Sequence, residues 1–168
     1  MGWLGDMLQE RQKKQRLHQW ALTVHDHLAS QVLKLAASGS LELKDGFELR
    51  FELMVLAVTS CLFRLHKQGE EESQEKLAAL WEITFEGLEY SLRERGVNDI
   101  RIAARMRRLF QDATGRRNAY LTAWQDGDGQ GLRAAIARNV LNGAAREDPR
   151  MDLLEEFLLG VKQQIALD

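Results

Sequence analysis

Between Ser91 and Tyr120 the chain places eight arginines and no lysine: Arg93, Arg95, Arg101, Arg105, Arg107, Arg108, Arg116 and Arg117. Three acids are interspersed, Glu94, Asp99 and Asp112, so the stretch is strongly basic inside a chain of net charge -2. Arginine without lysine serves fixed, bidentate hydrogen bonding: the planar guanidinium grips a carboxylate in a set geometry, whereas an ammonium is a point charge on a flexible stem. Arg101, Arg105, Arg108, Asp112 and Arg116 recur three or four apart, which puts them on one helix face. Most such runs are solvated, salt-bridged surfaces. Here, however, Arg93, Glu94, Asp99, Arg105 and Arg116 surround one predicted helix–helix corner. Such a cluster forms a hydrogen-bonded network that fixes the corner or receives a partner's polar groups. Specific nucleic-acid binding is not expected, because a pI near 6.1 lacks the basic character of such domains.

Other groups carry less chemistry. His25, Asp26 and His27 suggest a metal or proton relay, but residues two apart on a helix do not share a face. Only His18 and His25, seven apart, do so, and no carboxylate pair with ligand spacing joins them. A metal site needs three or more convergent ligands, so solvated surface histidines are expected instead. The glycines of Gly127 to Gly131 are neither preceded by a strand nor followed by Lys-Ser, which argues against a phosphate cradle. Cys61 is the sole cysteine and sits in an apolar run, where a thiolate is disfavoured. Intrachain disulfides and cysteine-based metal sites are excluded, which suits a reducing compartment. No catalytic residue, cofactor or metal is expected.

The elements that position these residues are helices. One proline and an abundance of Leu, Ala, Glu, Arg and Gln point to an all-α fold, and no stretch alternates long enough to argue for a sheet. A single compact bundle of about six helices is expected over residues 1–168, with no linker long enough to divide it. The first helix runs from Trp3 to Ala37 with Leu17, Trp20, Ala21, Val24, Leu28, Val32 and Leu35 inward. Residues 1–16 read as a loose or peripheral start: Trp3, Leu4, Met7 and Leu8 are apolar, and bases follow. That pairing suits contact with an anionic membrane surface or a partner's groove.

Asp45 and Glu48 have capping-box spacing and open a second, central helix. A polar loop over Gln68 to Gln74 precedes the third, which Gly96 ends. The fourth runs from Asp99 to Gln125 with Ala103, Met106, Phe110, Ala113, Tyr120 and Trp124 inward. After a glycine-rich turn over Asp126 to Gly131, a short helix spans Leu132 to Leu141. Asp148 as N-cap and Pro149 as first helical residue begin the last. The longest charge-free run, between Glu52 and Arg64, has 11 residues, against roughly 20 for a spanning helix. The N-terminus lacks the order of a secretory signal, and Asp6 stands where myristoylation wants Ser or Thr. A chain that stays where it is made is expected.

With these residues in view, the chain resembles the ubiquinol–cytochrome c chaperone family, assembly factors for cytochrome b of the respiratory bc complex. The likeness covers roughly Leu41 to Gly143. It is carried by Arg93-Glu94-Arg95-Gly96-Val97-Asn98-Asp99, then Arg105-Met106, Gly115-Arg116, Tyr120 and Arg138-Asn139, with Arg50-Phe51-Glu52 as a second element. Two departures stand out: Thr114 replaces an aromatic before Gly-Arg, and Ala29 to Leu43 lacks the family's Tyr and Pro.

The resemblance implies a non-catalytic helical holdase for newly made cytochrome b or another bc-complex subunit. In mitochondria, members act with a small companion protein near the ribosomal exit. A bare domain resembles a bacterial member, placed in the cytoplasm and peripherally on the inner membrane. Arg101, Arg105, Arg108, Arg116, Arg138 and Asn139 are then the expected partner contacts. Arg50, Glu52, Arg93, Glu94, Gly96, Asp99, Gly115 and Tyr120 are the expected structural corner. Two other classes stay open: a haem-handling or enzymatic protein using His18, His25 or His66, and a self-associating interaction domain.

Overall fold

A computed structural model of the chain describes residues 2–69 and 71–165. Six α-helices are present among them: α1 Trp3–Ala37, α2 Phe47–Gln68, α3 Glu71–Glu94, α4 Asp99–Gln125, α5 Gly129–Val140 and α6 Arg150–Gln164. The fold is all-α, as expected from the composition.

α2 is the central rod. Every residue from Leu53 to Leu62 is buried, and its buried Thr59 hydroxyl is satisfied by donating to the Val55 carbonyl at 2.6 Å. A helix apolar all round can be stable only when neighbours cover its whole circumference; α1, α3, α4, α5 and α6 all contact it. The main core gathers Leu28, Leu41, Leu53, Leu56, Leu65, Leu80, Ile136 and Leu154 with residues of all six helices or their connections. A second cluster joins Phe47, Phe51 and Val55 of α2 to Leu92 of α3 and to Ile102, Leu109 and Ala113 of α4. Cys61 is fully buried, and burial pushes its thiol up to about 12.

α1 and α3 lie side by side and run the same way. Lys13 binds Glu75 at 2.8 Å, and His25 lies against Gly87, both pairs being 62 residues apart. His25 is therefore half-buried, not a solvated surface histidine, because Gly87 presents no side chain to keep it out. Burial lowers its pKa, and Asp26 only partly offsets this.

Several helix ends and one helix face also differ from the expected ones. Gly46 caps α2 without a side-chain bond; Asp45 does not form the capping box because its carboxylate is held by Arg50. α3 begins at Glu71, inside the segment expected to be loop, and α5 begins at Gly129, where the Asp128 carboxylate accepts from the Gly131 N–H. Asp148 accepts from the Arg150 N–H, so α6 begins one residue later than expected, at Arg150. In α4 the buried residues are Ile102, Leu109, Ala113, Tyr120 and Ala123. Ala103 is exposed and Phe110 is 49% exposed, with one side of its ring against Phe85. No helix among the described residues is long and apolar enough to cross a membrane.

Candidate functional site

The α3–α4 corner is built by backbone bonds that the sequence encodes locally. Gly96 takes φ +76°, a conformation that costs a residue with a Cβ about 1–2 kcal/mol. Its N–H donates to the Arg93 carbonyl at 2.9 Å, and the Val97 N–H reaches back to the Leu92 carbonyl at 3.2 Å. These two bonds close a Schellman motif, and Val97 packs in the same apolar cluster as Leu92, the contact that usually accompanies it. Asn98 then caps α4 by accepting from the Arg101 N–H at 3.0 Å. Arg93 spans the corner, donating to Glu89 at 2.9 Å and to Asp99. Glu94 does not span it; it accepts from Tyr90 of its own helix at 3.0 Å.

Beside this corner lies an open cleft of about 700 Å³, formed by the start of α2, the segment before it, Arg95, Arg116 and the end of α5. Phe47 of the second core cluster is part of its lining. Phe47 and Phe51 stack with centroids 6.4 Å apart, and guanidinium groups cover them: Arg95 and Arg105 over Phe47 at 5.4 and 5.1 Å, Arg116 over Phe51 at 5.6 Å. Such cation–π contacts add directional attraction to apolar burial.

Three acids at the start of α2 each face an arginine. Asp45 accepts from Arg50 Nε at 2.7 Å and from Nη2 at 2.9 Å, a bidentate pair beside the positive end of the helix dipole. Glu48 meets Arg105 at 3.5 Å. Glu52 accepts from Arg116 Nε at 2.6 Å, and Arg116 also meets Asp112 at 3.6 Å. The Glu52 and Arg116 side chains are only 13% and 23% exposed. Burial raises the Glu52 carboxyl more than Arg116 lowers it, while Arg116, the less buried partner, has its own desolvation outweighed by the acids and stays above the ordinary arginine value. The two groups are held by one another.

Behind the cleft, Asn139 donates to the hydroxyl of the fully buried Tyr120 at 3.1 Å. Burial pushes that phenol up to about 12, so it remains a neutral structural group. Lys44, Arg95 and Arg138 also line the cleft, and none of them makes an ion pair among the described residues. With every acid of the cleft engaged, its unspent charge is positive.

The structure divides the residues singled out from sequence. Arg50, Glu52, Arg116, Arg138 and Asn139 meet at this cleft. Arg101, Arg105 and Arg108 line a neighbouring hollow of about 470 Å³ with Gly96, Val97 and Asn98. Gly115 is exposed within α4, and a side chain there would meet nothing within 4 Å. Thr114, which stands where the family pattern has an aromatic, buries its hydroxyl without a hydrogen-bond partner among the described residues. Lys44, Asp45, Arg95 and Asn142 were not singled out as site residues; of these, Arg95 was legible as part of the Arg-Glu-Arg-Gly run. Trp3, Leu4, Met7 and Leu8 do not line the cleft and are exposed at the start of α1.

Fold and cleft together define a class: an all-helical domain with an open, arginine-lined surface. Within that class the family is identified by sequence, because the model of the ubiquinol-cytochrome C chaperone matches residues 40–165. The chain belongs to that family. The match extends past the Leu41–Gly143 span of the motifs to take in α6, and it leaves out all of α1. Neither a curated protein nor a solved structure matches the chain significantly. Family membership supports a role as an assembly chaperone for the bc complex, with a protein client.

Proposed function

We propose that this protein is a non-catalytic chaperone that binds cytochrome b, or another subunit of the bc complex, during assembly of that complex. The observation that carries the reading is the family match over residues 40–165, which contains every helix that lines the cleft. The chemistry of the cleft supports it. Lys44, Arg95 and Arg138 offer donors to a partner's carboxylates and carbonyls, while the acids nearby are already engaged. The adjoining hollow adds Arg101 and Arg108. Gly115 leaves bare backbone on the same helix, where a partner's chain can approach closely. Work at a membrane-inserted client places the protein at the cytoplasmic face of the inner membrane, alone or with a companion protein.

The test is co-expression of the tagged protein with cytochrome b, followed by affinity capture and quantitation of cytochrome b. A Lys44→Ala/Arg138→Ala variant should capture at least tenfold less cytochrome b with an unchanged melting temperature, since neither side chain holds the fold together. Failure of the parent protein to capture any bc-complex subunit, or full capture by the variant, would overturn the reading.

A further inference from the structure

The start of α1 holds four of the nine large hydrophobic side chains that stand exposed among the described residues. Trp3, Leu4, Met7 and Leu8 are 69%, 61%, 43% and 59% exposed. Every residue from Gly2 to Arg16 is exposed, yet the segment is regular helix. It forms an arm of roughly 20 Å at 1.5 Å per residue, tied to the bundle near its base by the Lys13–Glu75 pair.

The arrangement around the helix is specific. At about 100° per residue the four apolar side chains share one face, and Arg11, Lys14 and His18 continue that face toward the bundle. Asp6 and Glu10 fall roughly 90–130° away from its centre. The arm therefore presents an apolar patch, then cations, with its acids turned aside.

We propose that this arm is a peripheral anchor for an anionic lipid surface. The apolar patch enters the boundary between headgroups and acyl chains while Arg11 and Lys14 meet lipid phosphates. Lipid fits better than a protein groove, since a helix seated in a groove carries anchors at i, i+3, i+4 and i+7. Here the apolar positions end at Leu8 and the next residue on the face is Arg11. The inference is independent of the chaperone reading, because the family match begins at residue 40.

The experiment is flotation of the full chain with vesicles of phosphatidylcholine alone and of phosphatidylcholine with phosphatidylglycerol. Binding is expected to the anionic vesicles only and to weaken with salt. Trp3→Ser/Leu4→Ser/Leu8→Ser should reduce it at least tenfold, and Arg11→Gln/Lys14→Gln should reduce it about tenfold or more, at roughly 1 kcal/mol per base. Neither variant should shift the melting temperature. Equal binding to neutral vesicles, or no vesicle binding, would overturn the proposal. So would a dimer, seen by light scattering, that the apolar variant abolishes while vesicle binding is absent, since the occupant would then be a second copy.

Discussion

The start of α2 and the start of α1 use the same residue types to opposite effect. At the start of α2, aromatic rings and arginines are locked together: Phe47 and Phe51 lie under Arg95, Arg105 and Arg116, and Asp45, Glu48 and Glu52 each have an arginine. The α1 arm also sets an aromatic and aliphatic cluster beside basic residues, but there the apolar side chains stand in solvent. Composition does not separate these regions; what separates them is whether the fold itself supplies partners. Where it does, substitution should cost stability. Where it does not, substitution should cost only binding.

The largest expected effect tests the locked region. Arg116→Ala strands Glu52 in a largely buried position and should destabilise the protein by about 2–3 kcal/mol in urea unfolding at pH 7, somewhat less than a fully buried pair because both groups retain some solvent contact. The loss should depend on pH with a definite sign. The folded Glu52 carboxyl lies above its ordinary value, so its contribution is fully present below that ordinary value and is lost as pH rises through the folded one. Removing Arg116 raises the folded value further. The deficit of the variant should therefore be smallest in acid and grow with rising pH; a deficit independent of pH would place its cause elsewhere.

Asn139→Ala comes next. It leaves the buried Tyr120 hydroxyl without its partner and should cost about 1–2 kcal/mol, read as a lowered urea midpoint. Gly96→Ala should cost about 1 kcal/mol, from the positive φ alone, since no neighbour crowds a Cβ there. At the small end, Trp3→Ser/Leu4→Ser/Leu8→Ser should change stability by less than about 0.5 kcal/mol. A loss there comparable with that of Arg116→Ala would break the contrast between the two regions.

Much of the fold was legible because its signals are local. The spans of α1 and α4 follow from periodicity and from Asn98, and the end of α3 follows from Gly96. The inward face of α4 was misread at Ala103 and Phe110 for a definite reason. Periodicity treats every arginine as outward, but Arg105 and Arg116 border the buried face and spread over Phe47 and Phe51. Guanidinium planes stack on rings while their stems bury, so a charged letter marks neither face reliably. His25 was misread because its burial depends on the missing side chain of Gly87, far along the chain. The cleft is harder still: it draws on residues 43–52, Arg95, Arg116 and residues 138–142, and nothing local joins these segments. The family motif gathered several of them without saying that they meet.

α1 is a single unbroken helix from Trp3 to Ala37, and no glycine or proline interrupts it after Gly5. The arm and the bundle therefore share one stiff axis with no swivel between them. Any surface that takes hold of the arm also sets the compass heading of the cleft, as a keel sets that of a hull. Two glycines introduced near Lys14 would leave both ends intact and uncouple only their aim.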